Sequence, residues 1–370
     1  MKKQKKSFKE FYKNSVFSKG EFYIKISLIF LLCSIFLVVF FTQNGSLFFE
    51  FYPYADKFQN YDFQVHFIDV GNGDAMLIKF PNNQTMMIDT GDDYYENKVV
   101  SYTKQYLWSE GLNKIDYLVL THSDSDHVGG AKAILENFKV KSIYRPKIYS
   151  KSEENYLLNK ENYYIDDSEI YDEVITTAYK KKCNIIFNEA GLTFSIKGCK
   201  VEFLAPLYDN YSISNNYSAV IKMTYQTKVF LFMGDAEKSV ENELIEKYDD
   251  DLKADVLKVG HHGSYTSTSL DFLYKVMPEY SILSCSSKSD YYPHKDVVEN
   301  LKSINSKLLN TGIRGSFAIS VANNEIVYAN AEKSSNHLAL IFTIFMLVVF
   351  IIWENPFKRF KPLINRINND

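Results

Sequence analysis

The chain has 370 residues, of which 46% are hydrophobic and 24% are charged, and its formal net charge at pH 7 is −3. This length provides for one large domain or two medium ones, and the composition is that of an ordinary globular protein, so the class of disordered proteins is excluded. The slightly acidic balance also argues against a protein that grips long stretches of nucleic acid, which would carry a basic surface.

The first predicted element is an apolar helix near the amino terminus. Residues 26–42 (ISLIFLLCSIFLVVFFT) contain no charge and approach the roughly 20 apolar residues that span a bilayer. A buried core helix would show an amphipathic period, and a cleaved signal peptide would end in a small-residue cleavage site; the sequence shows neither feature. We therefore predict a transmembrane helix over 26–42, preceded by a basic cytoplasmic tail over 1–25.

Alternating and wholly apolar segments then predict one domain over residues 63–330. The first batch of strands includes QVHFIDV, AMLIKF, QTMMIDT and IDYLVLTH, with helix-like segments at 94–110 and GGAKAILENF. Residues 150–182 are polar and rich in tyrosine, which indicates helix and loop. A second batch runs from NIIFN to KVFLFMGD, after which helices and strands alternate. This order predicts the α/β (α+β) class, with two mixed sheets packed face to face and helices outside, an αββα sandwich.

Residues 121–130 (THSDSDHVGG) carry the densest group of polar side chains in this domain. The preceding LVL predicts a buried strand, so His122, Asp124, Asp126 and His127 follow the end of that strand in one loop. Imidazole nitrogens and carboxylate oxygens at such close spacing are typical ligands of a divalent metal ion. An acidic helix cap is the alternative, but a cap needs one such residue and explains neither histidine.

A second charge-free apolar run, residues 338–353 (LALIFTIFMLVVFIIW), is the last predicted element. A buried core helix is again the alternative, but the length and lack of charge favour a transmembrane helix. The basic tail over 354–370 and the lysine-rich tail over 1–25 place both termini in the cytoplasm by the positive-inside rule. We therefore expect a cell-membrane protein with two spans and an extracytoplasmic domain over 63–330.

The cluster and the segments around it resemble a known family. HSDSDHVGG is similar to the H-x-H-x-D-H motif of the metallo-β-lactamase superfamily, with Asp124 in place of the second histidine. That variant resembles the hydrolase domain of the ComEC competence (DNA-internalisation) family. The resemblance extends over about residues 65–321 through ordered motifs, which are HFIDVGNGDAMLIKF, MMIDTG, NNYSAVIKM, FLFMGDAE and LKVGHHGS.

The resemblance implies a metallo-β-lactamase αββα fold and assigns roles to particular residues. It places His122 and Asp124 on one divalent ion, Asp126 and His127 on a second, and Asp235 between both. His261 or His262 completes the set, and the other of the two is explained equally well as a hydrogen-bonding partner. Asp126 and Asp235 are the candidate catalytic proton acceptors. Residues that would support the ligands or bind substrate are Asp69, Asp74, Asp89, Asn215, Ser218, Lys258 and His294, although Asp69 and Asp89 are also explained as turn caps at strand ends.

Two departures from the family pattern change what we expect of the site. Asp124, together with Asn215 or Ser218 in place of histidine, makes the first metal site rich in oxygen, which favours a hard ion such as manganese or weakens the site. We therefore expect two divalent ions, zinc or manganese, with the first site weak. Tyr292 stands where the family's G-H-P-H segment has its first histidine, which leaves His294 as the candidate for binding or protonating a phosphate.

The expected function is that of a membrane-anchored, metal-dependent hydrolase acting outside the membrane. A phosphodiesterase or nuclease would cleave single-stranded DNA or another phosphodiester polymer. The first alternative is a hydrolase of small cell-surface esters, such as a teichoic acid phosphodiester or a lactone, which fits the acidic balance better than duplex DNA does. The second is a non-catalytic membrane binding protein on the same scaffold. The sequence indicates no protein partner, and DNA transport is not expected of it.

Overall fold

The computed structural model describes residues 61–154, 156–157 and 163–330, together with Ser27, Ile29 and Leu31. Apart from those three residues, the predicted spans over 26–42 and 338–353 lie outside the described residues, as do both basic tails. Within the described part of the chain, no helix combines the length and apolarity needed to cross a bilayer.

Strands and helices alternate along the described domain. The strands are β1 Phe63–Phe67, β2 Ala75–Lys79, β3 Thr85–Thr90, β4 Lys114–Val119, β5 Lys139–Arg145, β6 Ile148–Ser150, β7 Tyr164–Asp166, β8 Asn184–Phe187, β9 Thr193–Ile196, β10 Cys199–Ala205, β11 Val220–Tyr225, β12 Lys228–Phe232, β13 Val256–Lys258, β14 Tyr280–Leu283, β15 Lys307–Asn310, β16 Phe317–Ala322 and β17 Glu325–Asn330. The helices are α1 Glu96–Ser109, α2 Ser125–Val128, α3 Ala131–Asn137, α4 Lys151–Glu154, α5 Glu169–Lys180, α6 Lys238–Tyr248, α7 Leu270–Val276, α8 Lys295–Ser303 and α9 Thr311–Arg314.

The described strands form two large mixed sheets. One has eight strands in the order β17-β16-β1-β2-β3-β4-β5-β8, and the other has seven in the order β15-β14-β13-β12-β11-β10-β9. Pairing is parallel from β3 through β4 and β5 to β8, and from β12 through β13 and β14 to β15. A small parallel sheet pairs β6, which ends where the tyrosine-rich segment begins, with β7 inside that segment, where helix and loop were expected. Parallel strands have their carboxyl ends at one edge, so each sheet offers such an edge for a site.

The period-2 pattern of the strands decides which side chains fill the core. In β1, Phe63, Val65 and Phe67 point between the two sheets, where the Phe63 ring lies 5.4 Å from that of Phe230 in the opposite sheet. His66, one position out of phase, faces the helix side and shares a 2.8 Å hydrogen bond with the hydroxyl of Tyr102. Strand alternation therefore sorts apolar from polar side chains.

Helices cover the outer face of each sheet. Helices α1, α3 and α5 pack on the eight-stranded sheet, and α6, α7 and α8 pack on the seven-stranded sheet, each through its own apolar cluster. The predicted αββα sandwich is confirmed. Because both sheets are buried on two faces, their central strands are mostly apolar, with His66 of β1 as an exception, and the ligand-type side chains lie at the strand ends.

Removing a ring from the inter-sheet core should destabilise the domain. Phe230 is fully buried and packs against Phe63, so Phe230→Ala should lower the free energy of unfolding by about 3–5 kcal/mol through lost transfer energy and a residual cavity. The control Tyr274→Ala removes a ring that is 61% exposed and should change the free energy of unfolding by no more than about 0.5 kcal/mol. Denaturant titration measures both, and equal effects would contradict this description of the core.

Candidate metal centre

The carboxyl ends of four parallel strands deliver the polar side chains of the centre. Asp89 is the second-to-last residue of β3, and the loop with Thr121 and His122 follows β4 in the same sheet. In the facing sheet, Asp235 follows β12, and the segment with His261 and His262 follows β13. Because the sheets pack face to face, these edges adjoin and their side chains meet.

The glycine pair that closes THSDSDHVGG lets this loop lie against the neighbouring strand. A Cβ on Gly129 would lie 2.2 Å from the backbone nitrogen of Asp93, and one on Gly130 would lie 2.5 Å from the carbonyl oxygen of Thr90. Both distances are shorter than any real contact allows, so only glycine permits this approach. Helix α2 starts inside the loop, with the N–H of His127 donating to the carbonyl of Asp124 at 3.0 Å.

Four buried side chains lie at the heart of the centre: Asp74, His127, Asp235 and His262. One potential ligand atom of each lies within 4.8 Å of those of the other three. The Nε2 atom of His127 is 3.1 Å from Oδ1 of Asp235, and the Nε2 atom of His262 is 3.2 Å from Oδ2 of Asp235. Asp126 joins them from the opening side, with Oδ2 3.2 Å from the same nitrogen of His262. Both imidazoles therefore aim one nitrogen at a shared group of carboxylates.

The other nitrogen of His127 is held by Asp89. Its Nδ1 lies 2.8 Å from Oδ2 of Asp89, and the same carboxylate accepts hydrogen bonds from the N–H and hydroxyl of Thr121 at 2.8 and 2.7 Å. Asp89 adopts a left-handed backbone conformation, with φ of 54°. A carboxylate on the outer nitrogen fixes the ring and its tautomer, so Nε2 is left for the centre.

His262 has a corresponding partner in Asp74. Its Nδ1 lies 3.5 Å from Oδ1 of Asp74, whose Oδ2 is 2.6 Å from the ammonium of Lys258. Lys258 is fully buried and also donates to the carbonyl of Val259 at 2.7 Å. Although Asp74 is near enough to reach a metal, its carboxylate faces Lys258 and the outer side of the His262 ring. The structure therefore encloses Lys258 beneath the centre rather than exposing it to an anion.

The two adjacent histidines of the HHGS turn point to different places. His261 and His262 have φ of 48° and 54°, and Gly263 continues the left-handed stretch with φ of 85°. His262 is 1% exposed and enters the centre, whereas the His261 side chain is 17% exposed at its rim. The Nε2 atom of His261 is 3.7 Å from Oδ2 of Asp235, and its Nδ1 is 3.1 Å from the hydroxyl of Thr266. Left-handed conformations are costly for non-glycine residues, and consecutive ones are typical of functional sites.

His122 lies beside the central group with the residues predicted for the first metal. Its Nε2 is 3.7 Å from Oδ2 of Asp124, and its Nδ1 is 3.4 Å from the hydroxyl of Ser218. Asp124 also accepts a hydrogen bond from Ser214 at 2.5 Å, and the amide nitrogen of Asn215 lies 3.4 Å from Nδ1 of His261. Among the described residues, the buried Nε2 of His122 has no hydrogen-bond partner. A buried nitrogen without a hydrogen-bond partner is what is expected of a side chain that ligates a metal ion.

The charges of the metal-free centre compensate one another. Burial alone would lower the pKa of His127 and His262, but the carboxylates, above all Asp235, hold both pKa values well above the ordinary value. Conversely, burial would raise the pKa of Asp235, but the two histidines hold it well below its usual range. Burial, reinforced by His127, lowers the pKa of His122, which favours its neutral, ligating form. Imidazoles and carboxylates in this arrangement are a suitable donor set for a divalent ion.

Two sequence-predicted residues lie apart from this group. Asp69 is 2.9 Å from the ammonium of Lys98, and its backbone N–H donates to the hydroxyl of Ser316. His294 occupies the N-cap of α8, where its Nδ1 accepts from the N–H of Asp296 at 3.4 Å. The structure brings the other predicted residues together around the centre.

Thr121 was not predicted as a residue of the centre, although its hydroxyl contacts both Asp89 and His122. The position of Thr121 directly before the HSDSDH motif was the one sequence feature that could have indicated this role. Asp74 and Lys258 were named, but the sequence did not indicate that they form one buried ion pair.

This fold and this centre are those of a metallo-hydrolase scaffold. The sequence profile of the Metallo-beta-lactamase superfamily matches residues 68–287, and the chain belongs to that superfamily.

Proteins with similar sequences indicate the branch of the superfamily to which the chain is related. The chain is 30% identical to ComE operon protein 3 of Bacillus subtilis, over 68% of this chain and 32% of that protein. It is 31% identical to Recombination protein 2 of Haemophilus influenzae, over 68% of this chain and 28% of that protein. It is 28% identical to Competence protein ComA of Neisseria gonorrhoeae, over 67% of this chain and 30% of that protein. The predicted resemblance to the ComEC competence family is confirmed. The chain spans about a third of the length of these relatives.

Substitution of the two adjacent histidines should have unequal effects on metal binding. His262→Gln removes a nitrogen at the heart of the centre and should weaken binding of Mn²⁺ or Zn²⁺ by more than about 100-fold, beyond what loss of an outer hydrogen-bonding partner costs. His261→Gln, at the rim, should weaken it by less than about 10-fold. Calorimetric titration of the metal-free protein measures both, and a larger loss for His261→Gln would overturn the assignment.

Proposed function

We propose that the protein is a metal-dependent phosphodiesterase whose ion is held by His127, His262, Asp126 and Asp235. The observation that carries this proposal is the convergence of two buried Nε2 atoms on the single buried carboxylate of Asp235. His122, with Asp124, would hold a second and weaker ion, because that pair is supplemented by hydroxyl and amide groups instead of a further histidine. Zinc and manganese both suit these donors.

The side chains of the centre have distinct tasks in hydrolysis. A bound divalent ion would polarise the phosphoryl group and lower the pKa of the attacking water. The Asp126 side chain is 33% exposed, whereas that of Asp235 is 4% exposed, so Asp126 is the carboxylate that an incoming water can reach. Burial would raise the pKa of Asp126, but His127 and His262 hold it below its usual range, so this carboxylate is ionised and available to hold the ion and to accept a hydrogen bond from the attacking water.

Single-stranded DNA is the substrate class that we favour. The names of two relatives, Recombination protein 2 and Competence protein ComA, refer to recombination and competence, which supports a DNA-related substrate. Tyr94 and Tyr265, 82% and 65% exposed, lie next to segments that build the centre, and exposed aromatic rings can stack on unpaired bases. The second candidate substrate is a small cell-surface ester, such as a teichoic acid phosphodiester or a lactone. The acidic net charge of the protein favours it, because a polyanion such as DNA binds best to a basic surface.

The proposed setting is the outer face of the cell membrane. The charge-free runs over 26–42 and 338–353 and the basic tails beyond them support two spans with the domain over 63–330 outside. In a background with the native cysteines replaced by alanine, a membrane-impermeant maleimide should label Asp209→Cys in intact cells, because that side chain is 69% exposed. It should label Lys5→Cys only after lysis, and labelling of Lys5→Cys in intact cells would contradict the topology.

Loss of the accessible carboxylate should abolish most hydrolysis. With Mn²⁺ or Zn²⁺, the full chain in detergent should cleave single-stranded DNA and bis-p-nitrophenyl phosphate. Asp126→Asn removes both a proposed ligand of the ion and the carboxylate nearest the attacking water, and it should lower kcat by at least about 100-fold. The control Asp209→Asn, on the surface, should leave kcat unchanged. Cleavage of small esters without cleavage of DNA would overturn the nuclease assignment, and absence of any hydrolysis would favour a non-catalytic binding protein.

A further inference from the structure

The side chain of Tyr292 lies at the opening of the centre. Its ring centroid is 5.8 Å from those of both His261 and His262, and its hydroxyl is 3.5 Å from Nε2 of His261. That same nitrogen is 3.7 Å from Oδ2 of Asp235. The imidazole of His261 therefore lies between the Tyr292 hydroxyl and the carboxylate of Asp235.

The loop that carries Tyr292 is tied to two elements of the site. The N–H of Tyr292 donates to the hydroxyl of Ser289 at 3.0 Å, and Asn72, from the β1–β2 turn, reaches that hydroxyl at 3.5 Å and accepts from the N–H of Ser286 at 3.0 Å. Beyond Tyr292, the N–H of His294 donates to the carbonyl of Gly263 in the HHGS turn at 2.8 Å. These anchors on both sides hold the Tyr292 ring over the two histidines.

The charges around the opening favour an uncharged hydrogen-bond donor, such as the Tyr292 phenol. Glu237 lies at the rim with a side chain that is 20% exposed, and its charge repels an anionic substrate. Asp124 and Asp126, 40% and 33% exposed, add negative charge that only a bound ion would offset. Lys258, the cation nearest to Asp74, is fully buried and cannot offset that repulsion at the surface. A phenol keeps its proton at neutral pH and donates a hydrogen bond without a charge that would compete for the carboxylates.

We propose that the Tyr292 hydroxyl donates a hydrogen bond to an anionic oxygen of the phosphoryl group bound at the centre. The inference rests on the proposed phosphodiesterase function and names a substrate-contacting residue for it. His294, which the sequence suggested for this task, instead uses Nδ1 to cap α8. The hydroxyl of Tyr292, 3.5 Å from Nε2 of His261, lies closer to the described centre.

The test is binding of inorganic phosphate to the full chain in detergent, loaded with Mn²⁺, by calorimetry. Tyr292→Phe removes only the hydroxyl and should weaken phosphate binding by about 10- to 100-fold, the usual effect of losing a hydrogen bond to a charged group. The matched control Tyr291→Phe alters the adjacent ring, which is 81% exposed, and should leave the affinity unchanged. Metal content should be equal in all three proteins.

Three outcomes would overturn the inference. Equal phosphate affinity of the wild type and Tyr292→Phe would show that the hydroxyl does not contact the anion, while the Asp126→Asn test of hydrolysis would stand independently. Loss of metal from Tyr292→Phe would show that the hydroxyl only supports the histidines. Absence of phosphate binding in the wild type would reject the contact, and hydrolysis of bis-p-nitrophenyl phosphate would then decide whether the proposed function fails with it.

Discussion

The interaction on which the structure depends is the meeting of two imidazoles with one buried carboxylate, that of Asp235. Charged groups removed from water are costly unless opposite charges and hydrogen bonds compensate them, so His127 and His262 must approach Asp235 from fixed directions. Each histidine comes from a different sheet, and the face-to-face packing of the sheets brings them together. The apolar layer between the sheets therefore sets the geometry of the polar centre at their edge.

The eight-stranded sheet supplies the carboxylates that support both histidines. Asp89, at the end of β3, holds the outer nitrogen of His127, while Asp74, from the β1–β2 turn, faces the outer nitrogen of His262 and is neutralised by Lys258. Both rings are thereby oriented with Nε2 inward before any ligand arrives. Such preorganisation lowers the cost of ordering ligands when an ion binds, and it explains why the chain accepts left-handed backbone at Asp89 and in the HHGS turn.

Much of this arrangement could be predicted from the sequence, because apolar period-2 segments determine the sandwich and the parallel strand ends determine where the motif must lie. The choice between His261 and His262 could not, since it depends on consecutive left-handed residues that direct adjacent side chains to different places. The burial of Lys258 could not either, because its partner Asp74 belongs to the other sheet and is remote in sequence. The cap that His294 forms on α8 through Nδ1 could not be predicted either, and its contact with a phosphate stays a prediction.

The central claim is that the cluster around Asp235 is a metal site, and the most direct test is to locate the ion. Anomalous X-ray diffraction from crystals of the purified protein, measured on both sides of the absorption edge of the bound metal, identifies the element and its position together. We expect an anomalous peak in contact with Nε2 of His127, Nε2 of His262 and the carboxylate of Asp235. A peak confined to surface carboxylates, or none at this centre in protein supplied with Mn²⁺ and Zn²⁺, would contradict it.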